Sequence, residues 1–407
     1  MAEKDIAPIR AAERISEIDI ARGLALFGIL MVNMSFFKMP VMLDRFPSSH
    51  PAGFDQMAAW IIQLLFTGKF YAIFSFLFGL GFYIFMERTL DKGLELVPLY
   101  RRRLLALLLF GFVHLFILWS GDILFTYAIT GFFLLAFRNK SIEAIRKWII
   151  SLFFVSFILN GLFMFFKTAG KVMAPKEYEA IMSEMVASAF KVYTEGSFTE
   201  LVAFRLANEV PYVIFGLIAW IPAVLAFFLC GLYIGKKGIF KDLPGHAVYL
   251  KRVRNVGFPV GGIFLLLMVF IGTGIWPVHP LIKHSIFESF NYLASLFIFP
   301  AYVAALLLFL QGEKGKRILA PIAATGRMAL TNYLAQTVIC IFIFYGFGLS
   351  LYGQVSIIAG IIITISIYLV QVVWSNLWMK KFYYGPMEWL WRVMTYKNVQ
   401  LFVIRKK

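Results

Sequence analysis

The chain has 407 residues, of which 61% are hydrophobic and 15% charged, and its mean hydropathy is +0.80. Soluble domains average roughly 45–50% apolar and about 25% charged residues, so this composition excludes an ordinary soluble domain. The formal net charge of +17 resides mainly in loops between long apolar runs. A nucleic-acid partner is therefore not needed to explain it.

The apolar runs predict an all-α membrane protein with ten transmembrane helices. Runs of roughly 18 residues or more cross the hydrocarbon core as helices, and these runs lack the ~10-residue alternation of barrel strands. The run 57–86 is too long for one span and is interrupted at Gly68-Lys69. We therefore expect an interfacial or re-entrant helix at 57–66. The predicted spans are 19–38, 70–86, 103–119, 122–137, 147–167, 209–234, 256–276, 287–311, 328–349 and 355–379.

Loop charges predict the orientation of this bundle. With both termini in the cytoplasm, 30 of the 39 Lys and Arg residues fall on the cytoplasmic side, as the positive-inside rule requires. The sequence therefore predicts a multi-pass protein of the cell membrane, with the lipid bilayer as its partner and both ends cytoplasmic.

Two segments outside the spans have helical patterns. In the outer segment 168–208, apolar residues recur every fourth position from Ile181, which is typical of an amphipathic helix on the outer face; a solvated loop is the alternative. Near the C-terminus, Gly385-Pro386 predicts a helix start. Trp389 and Arg392 suit the membrane interface, so we expect a C-terminal interfacial helix.

Cysteine and histidine give no sign of a metal centre. Cys230 and Cys340 lie inside apolar runs and suggest no disulfide framework. The five histidines are dispersed and show no ligand spacing, so no metal site is predicted.

The first span carries polar residues that the membrane makes costly. Asp19 and Arg22 are three residues apart and can pair on one helix face. Asn33 lies eleven residues beyond Arg22, nearly three full turns, so both share a face about 16 Å apart along the axis. They either line a cavity, or Arg22 snorkels while Asn33 bonds a neighbouring helix.

The connection between the third and fourth spans brings a histidine and a carboxylate together. Ser120-Gly121-Asp122 is too short for anything but an antiparallel hairpin on the outer side, and His114 lies roughly 8 Å below it. A histidine beside a carboxylate can act as a general base. Alternatively, Asp122 only caps the fourth helix and His114 is a packing donor.

Further polar residues fall at both ends of the bundle. Lys69, Glu288 and Asn291 lie on the outer side with Asn33 and His114 in this topology, so a cluster of Asn, Lys, His and carboxylates can form there. At the cytoplasmic end, Arg327 and Asn332 open the ninth span. Arginine suits phosphate, so Arg22 and Arg327 can hold an anionic donor such as a coenzyme A thioester. Arg101, Arg102 and Arg103 are cytoplasmic too, and ordinary positive-inside residues are the alternative for each.

Several segments together resemble the bacterial YeiB-like family, whose C-terminal half is a domain of unknown function. They are Asp19-x-x-Arg22-Gly23 through Asn33, His114 through Gly121-Asp122-Ile123-Leu124-x-x-Tyr127, Gly326-Arg327-Met328-x-Leu330-Thr331-Asn332-Tyr333, and Gly385-Pro386-x-Glu388-Trp389-Leu390-Trp391-Arg392. The resemblance runs over nearly the whole chain. It implies a bacterial cytoplasmic-membrane protein with two halves, 1–235 and 236–407, in one bundle.

The first span is also similar to that of transmembrane acyltransferases, namely the acyltransferase-three family and the lysosomal heparan glucosaminide N-acetyltransferase. Members move an acyl group from cytosolic acyl-CoA to a sugar or lipid outside. In the acyltransferase-three pattern an arginine is followed eleven residues later by a catalytic histidine. Arg22 matches the arginine, but Asn33 occupies the histidine position and cannot be a general base.

Three hypotheses follow. In the first, a membrane acyltransferase, Arg22, Arg327 and Asn332 serve the acyl-CoA donor. His114 is the base, Asp122 orients it, and Asn33 or Lys69 polarises the thioester carbonyl; no covalently bound cofactor is expected. The second is a small-molecule transporter or exporter, and the third is a non-catalytic binding or sensor protein derived from an acyltransferase. The oligomeric state stays open, with a homodimer as one option.

Overall fold

The computed structural model describes residues 15–41, 43, 47 and 53–404. Within them the chain is helical, and the only strand-like feature is an isolated bridge between Phe382 and Val403. A π-helix covers Val113–Leu118, and a 3-10 turn covers Leu135–Phe137. The α-helices are α1 Ser16–Phe37, α2 Phe54–Leu65, α3 Lys69–Asp91, α4 Leu96–Phe112, α5 Leu124–Leu134, α6 Ile142–Met173, α7 Pro175–Glu195, α8 Phe198–Asn208, α9 Val210–Lys236, α10 Ala247–Thr273, α11 Pro280–Leu310, α12 Glu313–Arg327, α13 Ala329–Phe344, α14 Ile357–Met379 and α15 Pro386–Tyr396.

The predicted fold class, an all-α membrane protein, is confirmed. Among the described residues, seven helical segments are long and apolar enough to cross a membrane, or eight if the bent pair α12–α13 is one span. The remaining two predicted spans are α4 with its π-helical end and the short apolar helix Leu124–Phe137. Fourteen residues of α-helix cover about 21 Å, less than the ~30 Å hydrocarbon core. The count of ten therefore stays a prediction.

A break at Gly68 separates α2 from α3, as the sequence predicted. Gly68 has φ of +83°, a conformation that side chains with a Cβ rarely adopt. A Cβ there would also lie 2.5 Å from the Ser295 hydroxyl oxygen. The predicted helix at 57–66 corresponds to α2, and its interfacial or re-entrant position stays a prediction.

The segment between the predicted spans 287–311 and 328–349 differs from expectation, because it forms the helix α12 where the sequence analysis predicts no helix. The lysines made this segment resemble a loop in the sequence, although one face of the helix is apolar and packs on α1. A Cβ on Gly23 would come within 2.6 Å of the Ile322 carbonyl oxygen, so the two backbones touch. A bend of 78° joins α12 to α13.

The segment 168–208 is helical, as the amphipathic interpretation predicted, and is not a loop; its position on the outer face stays a prediction. It contains the end of α6, then α7 and α8. Ala189 and Tyr193 are the buried residues of α7, and the Tyr193 ring stacks on Tyr352 with centroids 4.7 Å apart. The helix predicted after Gly385-Pro386 is present as α15.

The predicted hairpin of the third and fourth spans is present in α4 and α5. The two helices meet backbone to backbone, because a Cβ on Gly111 would lie 2.3 Å from the Phe125 amide nitrogen. Their tight contact fixes the turn between them, which carries the polar residues considered next.

Candidate functional site

A cavity of about 1250 Å³ opens among α1, α2, α6, α9 and α11 and the turn after the π-helix. Its wall along α1 runs from Gly28 to Lys38, a length of about 15 Å. Charged and polar side chains face it between apolar stretches. They include Asn33, Lys38, Asp122, Glu209, Glu288 and Asn291.

His114 and Asp122 form a buried pair at one wall of this cavity. The His114 Nδ1 atom lies 2.7 Å from Asp122 Oδ1, and its Nε2 atom lies 2.8 Å from the Thr337 hydroxyl. The His114 side chain is fully buried and is not among the residues that line the cavity, whereas Asp122 lines it. Both side chains of the pair are buried, so residue 122 contributes to the cavity wall through its backbone and its carboxylate lies just behind that wall with the imidazole.

Asp122 also caps α5. Its carboxylate accepts hydrogen bonds from the backbone N–H groups of Leu124, at 3.0 Å, and Phe125, at 2.5 Å. Such bonds favour a negative charge at a helix start. One residue is thus both the cap of α5 and the partner of His114, and the role of the pair as a general base stays a prediction.

The backbone around His114 is held by an arginine that the sequence analysis missed. Arg205, on α8, is fully buried and donates to the carbonyl oxygens of Ile117, at 2.8 Å, and Leu118. These carbonyls end the π-helix, where no further turn can satisfy them. Arg205 therefore fixes the peptide that leads into the 119–122 turn.

Glu209 is a second carboxylate at the cavity wall, also missed from sequence. It lies at the start of α9 and accepts hydrogen bonds from the Ser120 hydroxyl and, at 2.8 Å, from the Tyr193 hydroxyl. Ser120 is only two residues from Asp122, so both carboxylates flank one turn. The sequence signal was weak, because Glu209 stands at the start of an apolar run and resembles a helix cap.

Lys69 forms a separate buried cluster at another part of the wall. Its ammonium donates to Asn291 Oδ1 at 2.8 Å and to the Gln63 carbonyl at 3.2 Å, and the side chain is fully buried. Asn291 in turn donates to Glu288 at 3.3 Å. The structure thus brings together the predicted Lys69, Glu288 and Asn291, with Lys69 just behind the cavity surface.

The polar stripe predicted on α1 is divided. Asn33 lines the cavity, but Arg22 does not; it pairs with Asp19 at 3.1 Å. From Gly28, the deepest α1 residue at the cavity, to Arg22 is about 9 Å along the helix.

Asn332 belongs to a buried polar network at the α12–α13 bend. Its side-chain amide donates to the Thr325 carbonyl at 3.2 Å and to the Ser375 hydroxyl at 2.9 Å, so both of its protons are used within the protein. Its backbone carbonyl accepts from Gln371 at 2.9 Å. Arg327 ends α12 at the same bend, and the two residues predicted to serve a donor are neighbours there.

Comparison with known proteins gives relatives over the full length of the chain. A family model described as "Protein of unknown function (DUF418)" matches residues 234–398. The chain is 34% identical to "Uncharacterized protein YxaH" of Bacillus subtilis (strain 168), covering 97% of both chains. It is 29% identical to "Uncharacterized protein YeiB" of Escherichia coli (strain K12), covering 94% of this chain and 96% of that one. No solved structure matches.

Proposed function

We propose that this chain, which belongs to the YeiB-like family, is a membrane acyltransferase that uses the cavity described above. It would move an acyl group from cytosolic acyl-CoA to a sugar, lipid or small molecule bound in the cavity from the other side. The observation that carries the proposal is the buried pair of His114 and Asp122, 2.7 Å apart, in a turn that lines the same cavity as Asn33.

The roles of His114 and Asp122 are exchanged relative to the first hypothesis. A histidine with both ring nitrogens occupied has no free site for an acceptor proton. Asp122 Oδ2 accepts one hydrogen bond, from the Phe125 N–H, and keeps a second lone pair that can take the proton. We assign Asp122 as the base and His114 as the residue that positions it.

The reaction then has a simple balance. The acceptor O–H or N–H attacks the thioester carbonyl carbon, and its proton passes to Asp122. The carbon–sulfur bond breaks, the proton passes on to the leaving thiolate, and free coenzyme A and the acylated acceptor remain. Asn33 can donate a hydrogen bond to the carbonyl oxygen as charge develops on it. Lys69 is less suited to that role, since its ammonium is already bonded to Asn291 and Gln63.

The donor side of the proposal uses Arg22 and Arg327. Arginine binds phosphate with a planar pair of N–H donors, and the Arg22 side chain is 30% exposed. Arg22 lies about 9 Å along α1 from Gly28, at the floor of the cavity. The thioester arm of the donor has to span this distance.

The test is direct. Purified protein in detergent is given acetyl-CoA, and binding is followed by calorimetry while coenzyme A release is followed with a thiol reagent in the presence of candidate acceptors. Asp122→Asn is expected to retain donor binding and to lose turnover by about 10²-fold or more. Asp91→Asn makes the same chemical change at an exposed position far along α3 and is expected to behave as the wild type. Failure of the wild type to bind acetyl-CoA at all would overturn the proposal.

A transporter is the second candidate, favoured by a specific observation. Helices are broken in both halves of the chain, at Gly68 between α2 and α3 and at the 78° bend between α12 and α13. Transporters bind substrates near the bilayer midplane beside such breaks. Substrate flux into proteoliposomes without any covalent product, abolished by Asp122→Asn, would favour this function over acyl transfer.

A further inference from the structure

Three arginines gather at the end of the bundle opposite the cavity. Arg22 lies on α1, Arg103 on α4 and Arg392 on α15. The Arg103 guanidinium lies over the rings of Phe85 on α3 and of Trp391, the residue before Arg392. Arg22 Nη2 would be 3.5 Å from a Cβ on Gly81, one turn before Phe85 on α3. All three are partly exposed. Like charges repel, so three guanidinium groups brought together by three separate helices indicate a missing negative charge.

The Arg103 guanidinium lies over two aromatic rings. Its guanidinium carbon is 3.6 Å from the centroid of the Trp391 ring and 5.4 Å from that of Phe85. The Trp391 indole N–H donates to the Arg103 backbone carbonyl at 2.7 Å, which fixes the stack. Contact with a ring face does not use up the guanidinium N–H donors, which remain for an acceptor oxygen.

Arg392 is oriented in a similar way. Its guanidinium carbon is 4.7 Å from the centroid of the Tyr384 ring and 5.1 Å from that of Tyr396. Among the described residues its Nε atom is buried and has no hydrogen-bond partner, and its one side-chain bond is a long one, 3.5 Å, to Gln400. A buried donor without an acceptor is costly, so a ligand oxygen at this point would remove a penalty.

The nearby carboxylates do not neutralise this cluster. Asp19 contacts only Nη1 of Arg22, at 3.1 Å. Glu388 lies one turn before Arg392 on α15, but its oxygens accept from the Leu330 and Thr331 backbone N–H groups and the Thr331 hydroxyl. One carboxylate in contact with three guanidinium groups leaves a surplus of positive charge.

We propose that Arg22, Arg103 and Arg392 form a phosphate-binding site at this end of the bundle. Three guanidinium groups that converge from different helices match the several oxygens of a phosphate monoester or diphosphate, which arginine binds through paired N–H donors. The phosphate can come from an anionic lipid headgroup or from a soluble phosphorylated compound. The site stands without the proposed acyl transfer, since phosphate binding is measured by itself; if the transfer also holds, the donor's phosphates are its natural occupant.

The experiment uses the full chain in two settings. In nanodiscs of phosphatidylcholine, binding of inorganic diphosphate is measured by calorimetry. In nanodiscs that also contain phosphatidylglycerol, retention of that lipid by the purified protein is measured by native mass spectrometry. Tight diphosphate binding identifies a soluble ligand, and selective phosphatidylglycerol retention identifies a lipid headgroup.

The variants decide whether the three arginines are responsible. Arg392→Gln and Arg103→Lys are each expected to weaken binding about tenfold or more, because a bond to a charged group is lost and lysine cannot reproduce the stacked planar fork. Arg101→Gln removes the same kind of charge from an exposed position on α4 and is the matched control. If neither probe binds, or if Arg101→Gln weakens binding as much as Arg392→Gln, the site does not exist. Arg392→Gln decides alone if Arg103→Lys does not fold.

Discussion

Gly326 lies so close to Asp19 that a Cβ placed on the glycine would be 1.8 Å from the Asp19 carbonyl oxygen. No side chain fits in that space, so α1 and α12 must separate if the glycine is replaced. We expect Gly326→Ala to destabilise the protein by about 1–3 kcal/mol, the usual range for overpacking.

The measurement is a thermal unfolding curve in detergent, read with a thiol-reactive dye that reports exposure of the buried Cys340 and half-buried Cys230. Gly161→Ala in α6 is the control, because a Cβ there meets nothing within 4 Å. Equal melting temperatures for the two variants would contradict the close contact of α1 and α12.

Substitutions at His114 test whether it positions Asp122 and does not itself contact substrate. His114→Ala removes the Nδ1 donor and leaves the carboxylate less well held, so we expect kcat to fall while KM changes little. His114→Gln can still offer an amide N–H to Asp122 and is expected to recover part of the loss. A large rise in KM with unchanged kcat would instead mean that His114 contacts the substrate.

We expect the stability of the protein to depend on pH through Glu388, which accepts hydrogen bonds at the start of α13. Burial raises the pKa of Glu388 above its usual value, although hydrogen bonds from Thr331 and Leu330 oppose the shift. A raised pKa in the folded state means that the folded protein binds the proton more tightly than the unfolded chain. The stabilisation is therefore complete below the ordinary carboxyl pKa of about 4.5 and is lost as the pH rises through the higher folded pKa.

We expect the melting temperature of Glu388→Gln, which cannot ionise, to rise relative to that of the wild type as the pH increases from about 4.5. Parallel curves for the two proteins across that range would rule out the shift. Glu313→Gln serves as the control, since the Glu313 side chain is 94% exposed.

The predicted orientation can be checked with single cysteines and a membrane-impermeant maleimide, in a background with Cys230 and Cys340 replaced by serine. Glu184, on α7, and Lys314, on α12, are both exposed. We expect Glu184→Cys to react in intact cells and Lys314→Cys to react only after the cells are permeabilised. The reverse pattern would invert the topology, and reaction of both in intact cells would contradict the span assignment between them.

The extent to which the sequence predicts the site depends on how local each contact is. His114 and Asp122 are eight residues apart in a hairpin whose turn is short, so their meeting follows from helix geometry. Arg205 reaches Ile117 and Leu118 across nearly ninety residues, and Glu209 reaches Ser120 over a similar separation. No periodicity encodes such contacts, because they depend on how helices pack and not on their own patterns.

The fold shows the same distinction. Apolar length and the Gly68 interruption located α3 and its break, since both are properties of one segment. The helix α12 was missed because a segment that contains several lysines is typical of a loop. The contact that packs this helix joins Gly326 to Asp19, two residues far apart in the chain, so the pattern of one segment does not reveal it. The sequence predicted that Arg22 and Asn33 share one face of α1. It did not predict that, of these two residues, only Asn33 lines the cavity.

The depth of the cavity has an electrical consequence. Water that fills it carries the solution on that side down to Gly28, so most of a transmembrane voltage must fall across the few helical turns between Gly28 and Arg22. A charge that crosses this interval therefore experiences nearly the whole potential, about 2.3 kcal/mol per 100 mV.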